Sequence, residues 1–241
     1  MSTSPSNPAP LLAIGAHPDD LEFGVGGVLA AEVRKGRAVH MVIGSRGESG
    51  TNGTPEQRTL EAEAAAAKLG ATIEFIDLGG DANIENTRAG ARQIAAIIRR
   101  LRPEILLALS IVEDQHPDHV AVGRMTRDAA RLARYGGLEQ LKPLERHAIT
   151  HLLYYAVSPD AVPREINPVL YALEDADVQI WREAMAAHAS QMQTRDYGSL
   201  QITRASLLGQ NIGGRHAIAL YPNDPLVIAD LGGLGHGGRH F

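Results

Sequence analysis

Four short apolar runs recur along the first half of the chain at intervals of about thirty residues. Each is continuous rather than alternating, which is typical of strands buried on both faces of a parallel sheet. The runs cover residues 11–16, 38–45, 72–78 and 104–110. Alanine-rich or amphipathic stretches separate them. This rhythm predicts an α/β fold with a mostly parallel, doubly wound sheet and helices on both faces.

Capping signals delimit the helices between these strands. Thr54 and Gln57 form a capping-box pattern around Pro55, and the apolar pattern that follows ends before Gly70. A second helix is predicted over 87–101, where apolar residues recur at helical spacing. Signals in the neighbouring residues therefore predict one helix after the apolar run at 38–45 and one after the run at 72–78.

The pattern weakens beyond about residue 145. We expect one more strand within 148–157 and a helix from 175 to about 192. We predict that the chain consists of a disordered segment over 1–10, a single α/β domain over 11–234 and a loose tail over 235–241.

Glycines follow the first apolar run without forming a dinucleotide-binding motif. Gly24 and Gly26 suggest such a motif, but its third glycine would fall at Leu29. We interpret them, with Gly27, as positions of close helix packing. A second glycine-rich stretch, 45–54, predicts either a loop that contacts a sugar or phosphate or a merely flexible loop.

Composition narrows the class of protein. The 241 residues contain no cysteine, so a bound metal would need imidazole and carboxylate ligands. Neither a secretory signal nor an apolar run of about 20 residues is visible, which predicts a cytoplasmic protein without membrane contact. A net charge of −5 with no basic cluster argues against nucleic-acid partners.

Two tetrads of similar sequence carry the candidate chemistry. HPDD occupies 17–20 and HPDH occupies 116–119, after the first and fourth predicted strands. Carboxyl ends of parallel strands form ligand sites, so the two tetrads could meet. We predict that His17, Asp20 and His119 hold one catalytic zinc ion (Zn2+), because two imidazoles and one carboxylate leave coordination positions open to water and substrate.

The remaining polar residues of the tetrads suit hydrolysis at neutral pH. Asp19 is the expected general base. His116, as an imidazolium, would stabilise an oxyanion and protonate the leaving group, and Asp118 would orient it by a hydrogen bond. Arg58, one turn into the helix that follows the second glycine-rich stretch, is expected to bind a hydroxyl or carboxylate of the substrate, or else to lie on a solvated face.

Simpler interpretations remain for single features. One His-Pro-Asp alone is typical of a helix start, whereas two at equivalent strand ends favour a metal site. Glu113 and Asp114 could also be ligands, although an acidic pair in a loop is more often solvated. Four further histidines are interpreted as core or surface residues: His40, His147, His151 and His188. Alternative functions are a sugar- or nucleotide-binding module without hydrolytic activity and a phosphoesterase, which usually needs two metals.

The tetrads together resemble the PIG-L/LmbE-like family of zinc-dependent N-acetylglucosaminyl de-N-acetylases. Further similar segments are 45–54, 101–119, 187–191 and 225–233, and their pattern is nearest to the bacillithiol-biosynthesis deacetylase branch. The resemblance implies a Rossmann-like fold, one zinc ion, and hydrolysis of the acetamide of an N-acetylglucosaminyl conjugate, such as its malate, to amine and acetate. Homo-oligomers are common among bacterial members.

When the motifs are matched, the resemblance implies the same roles that the chemistry of the residues predicts. The metal ligands are His17, Asp20 and His119, and the catalytic residues are Asp19, His116 and Asp118, with Arg58 at the substrate. At two positions the chain departs from the family pattern in a way that concerns substrate specificity. Gln115 stands where the branch tends to carry arginine, and His216 stands where relatives tend to carry tyrosine, either as a substrate contact or as a neutral packing substitution.

Overall fold

The computed structural model of the protein describes residues 8–113 and 116–231. The predicted disorder over 1–10 lies outside the described residues except for 8–10, and the predicted tail over 235–241 lies outside them entirely. Asp114 and Gln115 are outside them as well.

A seven-stranded sheet in the order β3-β2-β1-β4-β5-β7-β6 forms the centre of the described chain. Strands β1 to β5 pair in parallel, and β7 runs antiparallel to both β5 and β6. The strands are β1 (Leu11–Gly15), β2 (Val39–Ile43), β3 (Thr72–Phe75), β4 (Ile105–Leu109), β5 (His151–Tyr155), β6 (Val169–Leu173) and β7 (His216–Pro222). The prediction of a mostly parallel α/β sheet is confirmed.

Six α-helices surround this sheet in the described residues. They are α1 (Asp20–Arg34), α2 (Pro55–Leu69), α3 (Arg88–Leu101), α4 (Pro117–Arg134), α5 (Asp175–Ala186) and α6 (Tyr197–Gln210). Helix α3 packs on α4, while α1 packs on α2, α5 and α6, so the helices form two separate layers. No helix of the described chain is long and apolar enough to cross a membrane.

The local sequence signals predict the first half of the fold well. Thr54 caps α2 by accepting a hydrogen bond from the Gln57 N–H at 3.2 Å, as the capping box predicts. The prediction for α5 is wrong at its end, since the helix stops at Ala186 rather than near 192. Strands β6 and β7 and helix α6 were not predicted. The apolar residues of β6 and α6 lie in mixed, half-exposed segments. Strand β7 is mostly buried, and its apolar run over 217–221 is a signal that the prediction missed.

The interpretation of the early glycines as packing positions is confirmed. They form a side-chain-free face of α1 against large buried side chains. A Cβ added at Gly24 would lie 2.5 Å from the Tyr155 ring, and one at Gly26 would lie 2.7 Å from Trp181. The Tyr155 hydroxyl donates to the Ile14 carbonyl at 2.9 Å, so that ring cannot easily move aside. Close approach of α1 to the sheet therefore depends on these glycines.

We predict that Gly24→Ala lowers the free energy of unfolding by about 1–3 kcal/mol, because the new methyl group overlaps a fixed ring in a packed core. Gly198→Ala is the matched control, since an added Cβ there meets the flexible end of Met192 at 3.3 Å and Asp196 Oδ1 at an ordinary contact distance of 3.6 Å. The control should be neutral or stabilising by about 1 kcal/mol or less. Chemical denaturation measures both, and equal stability of the two variants would contradict close packing at Gly24.

Candidate metal centre

The two tetrads lie at one edge of the sheet because β1 and β4 are paired neighbours. Leu11, Leu12 and Ala13 of β1 align in parallel with residues 105–107 of β4. Both strands therefore end on the same side, and each is followed by a tetrad and then a helix, α1 or α4. This is the point where the strand order reverses, the usual ligand-binding position of open α/β sheets.

The first tetrad makes a tight turn that aims its side chains at the sheet edge. Asp19 adopts φ 113°, a left-handed conformation that is costly for a residue with a side chain. The turn is held by the carboxylate of Asp20, which accepts hydrogen bonds from the N–H groups of Ala16 and His17, both at 2.9 Å. Backbone strain at such a residue is typical of functional sites.

Two imidazole nitrogens and one carboxylate converge on one point. His17 Nδ1 lies 3.2 Å from His119 Nε2. The carboxylate of Asp20 approaches both rings, with Oδ1 3.0 Å from His119 Nε2 and Oδ2 3.6 Å from His17 Nδ1. Ligands about 2.0–2.1 Å from a tetrahedral zinc ion stand roughly 3.3 Å apart, so these spacings fit such an ion. Among the described residues, this set is one of two groups that could hold a metal. The structure thus brings together the three predicted ligands.

Carboxylates fix the orientation of the His17 ring. Its Nε2 lies 3.1 Å from both Asp118 Oδ2 and Asp81 Oδ1. A proton on Nε2 satisfies these oxygens and leaves the Nδ1 lone pair for a cation, a common arrangement around metal-bound histidine. Asp81, which follows β3, was missed by the sequence analysis; the only signal was its place beyond the end of a third parallel strand.

The predicted partner of Asp118 is wrong. Its carboxylate binds His17 and accepts the Ala82 N–H at 2.8 Å, instead of orienting His116. The described contact between Asp118 and His116 runs through the backbone, where the Asp118 N–H donates to His116 Nδ1 at 3.2 Å. Asp118 lies in the first turn of α4, which begins at Pro117, and its side chain reaches the first tetrad at His17.

The centre carries an excess of negative charge. Burial lowers the pKa of His17, but hydrogen bonds to Asp118, Asp20 and Asp81 raise it overall to about 12. Burial also disfavours ionised Asp20, yet the adjacent imidazoles of His119 and His17 hold the pKa of that carboxyl well below its usual range. The positive charge of a divalent cation would stabilise these carboxylates, which otherwise favour the protonated form of the His17 ring.

Asp19 lies beside the ligand set in a different environment. Burial and the neighbouring Asp20 carboxylate raise its pKa to about 7, although His188, Arg58 and His17 oppose the increase. A carboxyl with a pKa near neutrality can exchange a proton at physiological pH. The chemical role predicted for Asp19 is consistent with this environment.

Arg58 lines the cavity but is already occupied by protein groups. It is buried, and its Nη2 donates to the Pro18 carbonyl at 2.9 Å and lies 3.4 Å from Asp19 Oδ2. Its Nη1 donates to the Gly47 carbonyl at 3.3 Å. The guanidinium therefore fixes the Asp19 turn and the glycine-rich loop, in addition to facing the space where a substrate would lie.

His116 stands at the cavity wall. Burial and the nearby His17 and His119 lower its pKa, which disfavours the imidazolium expected from the sequence. Since its Nδ1 accepts the Asp118 N–H, the neutral ring carries its proton on Nε2. His116 is therefore positioned as a hydrogen-bond donor rather than as a charged acid.

A cavity of about 560 Å³ opens over these residues. Its far wall comes from segments that the sequence analysis did not assign to the site: Phe23, Gln191, Arg195, Tyr197, Leu200 and Gln201. His188 is fully buried behind this wall, with its Nε2 3.3 Å from Glu22 Oε1. Its interpretation as a core residue is therefore correct, and nearby Glu22 raises its pKa although burial lowers it.

His216 does not line this cavity, contrary to the predicted substrate contact. It is the first residue of β7 and pairs with Leu173 of β6, in the antiparallel part of the sheet. Two strands, β5 and β7 itself, separate β6 from β4 and its tetrad. The packing alternative for His216 agrees better with this position.

Comparison with known proteins relates the chain to a family of deacetylases. Residues 12–130 match the family model of PIG-L, described as GlcNAc-PI de-N-acetylase. A 1D-myo-inositol 2-acetamido-2-deoxy-alpha-D-glucopyranoside deacetylase of Catenulispora acidiphila is 30% identical over 209 residues, which cover 72% of this chain and 68% of the relative.

Two further similarities extend the comparison. A conserved protein of Thermus thermophilus has a similar structure, with a TM-score of 0.78 and 28% identity, covering 92% of this chain and 97% of the other. The 4-oxalmesaconate hydratase of Pseudomonas putida is 30% identical over 138 residues. That alignment covers 52% of this chain and only about half, 53%, of the hydratase.

We predict that His119→Ala loses bound metal while His116→Ala retains it. The His119 Nε2 faces the other two ligand atoms, whereas the His116 Nδ1 is occupied by a backbone N–H. Metal content per chain after equilibration with zinc and gel filtration measures the difference. Equal loss in both variants would contradict this ligand assignment, and circular dichroism of each variant controls for unfolding.

Proposed function

Because the chain belongs to the PIG-L family of de-N-acetylases, we propose that it is a zinc-dependent hydrolase that removes the acetyl group from an N-acetylglucosaminyl conjugate. The observation that carries this proposal is the convergence of His17, Asp20 and His119 beside Asp19 in one open cavity. A module that only binds sugars or nucleotides would not need a strained, proton-exchanging carboxyl next to three potential metal ligands.

A zinc ion held by the three ligands would polarise the amide carbonyl and lower the pKa of water from about 15.7 toward 7. Asp19 takes the proton of the attacking water as the new C–O bond forms. The His116 Nε2–H donates to the carbonyl oxygen as negative charge develops on it. Asp19 then returns the proton to the amide nitrogen as the C–N bond breaks, which gives free amine and acetic acid. The acid loses its remaining proton to solvent and leaves as acetate.

Two residues outside the metal ligand set position the reacting groups, Arg58 at Asp19 and Asp118 at His17. Arg58 binds both the Pro18 carbonyl and the Asp19 carboxylate, so the turn cannot relax when the carboxylate is neutralised. Asp118 stabilises the reacting set through His17 rather than through His116. We therefore assign Arg58 and Asp118 positioning roles, with a direct substrate contact of Arg58 as an addition to its structural one.

Arg195 supports a conjugate with an acidic aglycone, such as N-acetylglucosaminyl malate of the bacillithiol branch. It lies at the exposed rim of the cavity with its guanidinium 5.9 Å from the centre of the Tyr197 ring. A carboxylate on the aglycone would meet this charge while the acetamide reaches the metal ligands. The similar Catenulispora enzyme is named for a neutral inositol conjugate, so this choice distinguishes two possible substrates.

We predict that Asp19→Asn lowers kcat for acetate release by about 10²–10⁴-fold with zinc still bound, because the amide cannot accept the proton of water. Asp160→Asn is the matched control, since Asp160 lines the same cavity away from the ligand atoms. Unchanged turnover of Asp19→Asn at full zinc occupancy would contradict its role as the base.

We predict that Arg195→Ala raises KM for N-acetylglucosaminyl malate roughly fivefold and leaves KM for methyl N-acetylglucosaminide unchanged. Lys68→Ala removes one positive charge from an exposed site on α2 and should change neither value. Amine release in a fluorescamine assay measures KM of the unchanged protein and of both variants for each substrate. Hydration of an unsaturated dicarboxylate without any amine release would instead favour a hydratase, the activity that the Pseudomonas relative is named for.

A further inference from the structure

The segment over 188–191, which we name the clasp, follows α5 and joins three separate parts of the chain. Its residues contact α1, α2 and the glycine-rich stretch over 45–54, which we name the glycine loop. Helix α1 begins directly after Asp19, and α2 carries Arg58. The proposed reaction assigns no role to the clasp or to the glycine loop, although both adjoin elements that carry the residues it uses.

Ser190 joins the clasp to α2. It is fully buried, its N–H donates to Glu61 Oε1 at 3.0 Å, and its hydroxyl donates to Glu61 Oε2 at 2.6 Å. One serine therefore binds both oxygens of this carboxylate. Hydrogen bonds to a charged acceptor are stronger than those between neutral groups, so this pair holds α2 at the clasp.

The part of α2 that Ser190 binds is also the part that reaches the Asp19 turn. Glu61 lies three residues after Arg58, so the two side chains share one face of the helix. Arg58 donates to the Pro18 carbonyl at 2.9 Å and lies 3.4 Å from Asp19 Oδ2. Direct contacts therefore lead from Ser190 through α2 to the proposed base.

The clasp also holds the glycine loop. Gln191 Nε2 donates to the Asn52 carbonyl at 2.8 Å and to the Ser190 hydroxyl at 2.9 Å. Gly53 adopts φ 79°, and a Cβ added to it would lie 2.9 Å from the Ser190 hydroxyl oxygen. The loop therefore packs closely on the clasp, and it is bound by Arg58 as well.

His188 joins the clasp to α1. It is fully buried, as is Glu22, and its Nε2 lies 3.3 Å from Glu22 Oε1. Glu22 belongs to the first turn of α1, three residues after Asp19. Removal of either partner would leave the other buried alone, which is strongly destabilising, so the Ser190 end of the clasp offers the cleaner test.

We propose that Ser190 is a positioning residue of the reaction, which holds Arg58 against the Asp19 carboxylate through its contact with α2. Ser190 does not line the metal cavity, so it acts through other residues and not on the substrate. A misplacement of about 1 Å can lower a rate about 10²-fold, so a contact outside the cavity can control kcat. The catalytic part of this inference rests on the proposed function, whereas the hold of the clasp on the glycine loop does not.

We expect Ser190→Ala to lower kcat of the zinc-loaded protein for methyl N-acetylglucosaminide about 10- to 100-fold, with KM changed less than about threefold. Zinc content should stay the same, because the metal ligands lie outside the clasp. Ser206→Ala is the matched control and should change none of these values, since its hydroxyl donates to the Ile202 carbonyl at 3.0 Å, outside the cavity lining. Loss of zinc or an unchanged kcat in Ser190→Ala would overturn the proposal.

Hydrogen exchange tests the hold on the glycine loop without any substrate. Within this loop the Ser49 N–H donates to Asp81 Oδ2 at 3.2 Å, so its exchange reports whether the loop stays in place. We expect exchange in the peptide 45–54 to be at least about tenfold faster in Ser190→Ala than in Ser206→Ala or the unchanged protein. Equal exchange in all three proteins would contradict the clasp.

Glu61 supplies the conservative variant. Glu61→Gln keeps an oxygen for the Ser190 N–H and a group that can bond the hydroxyl, whereas Glu61→Ala removes both. We expect kcat of Glu61→Gln to stay within about threefold of the unchanged protein and that of Glu61→Ala to fall as in Ser190→Ala. The double alanine variant should be no slower than the slower single one, because both changes break one contact. Multiplied losses in the double variant would overturn the proposal.

A second control removes a similar glutamate elsewhere. Glu61 accepts from Gln57 Nε2 at 3.1 Å, and Glu183, which is exposed on α5, accepts from Gln179 Nε2 at 2.9 Å. Glu183→Ala should therefore leave kcat and loop exchange unchanged. If circular dichroism shows that Ser190→Ala does not fold, the half-buried Glu61 and its variants decide the question by the same two measurements.

Failure of the proposed function would give a different pattern. No amine release by the unchanged protein from any N-acetylglucosaminyl conjugate would refute the proposed function, while loop exchange would still decide whether the clasp holds the glycine loop. Normal turnover of the unchanged protein with an equal kcat in Ser190→Ala would refute the positioning role alone, even if loop exchange becomes faster.

Discussion

The parallel pairing of β1 with β4 is the constraint on which the candidate site depends. These strands are separated by about ninety residues of sequence, yet their backbone ladder places both carboxyl ends side by side. Helix α1 begins within the first tetrad and helix α4 within the second, so His17 and Asp20 from one strand end meet His119 from the other. The strand pairing therefore brings the two tetrads together.

Electrostatics makes this geometry costly without a cation. Asp20, Asp81 and Asp118 surround one imidazole, and the described cation nearest to them, Arg58, is committed to the Asp19 turn and approaches Asp81 only to 3.8 Å. Buried carboxylates retain their charge when a counter-charge is supplied, and the hydrogen bonds from these carboxylates raise the pKa of His17. The same excess of negative charge would favour a divalent ion and is consistent with a raised pKa at Asp19.

Helix α1 links the candidate metal centre to the core. Its first turn carries Asp20, and its glycine face receives the rings of Tyr155 and Trp181. Tyr155 also binds the backbone of β1. A shift of α1 would therefore move a metal ligand, which gives the glycines a role in site geometry as well as in stability.

Much of this organisation was predictable from the sequence. Continuous apolar runs, capping residues and the repeated His-Pro-Asp determine strands β1 to β5, the start of α2 and the three candidate ligands, because these signals are local and act within a few residues. The glycines of α1 could also be interpreted as packing positions, since their spacing excluded the dinucleotide motif.

Tertiary structure alone decided the remaining features. Asp81 joins the site, Asp118 turns to His17, and His216 falls outside the cavity because strand order and register determine which distant side chains meet. Helix α6 and strand β7 pack against each other in the fold, although α6 buries only a few of its residues and carries weak periodicity. A chain encodes its local elements in neighbouring residues, whereas the partners of a side chain depend on contacts formed across the whole fold.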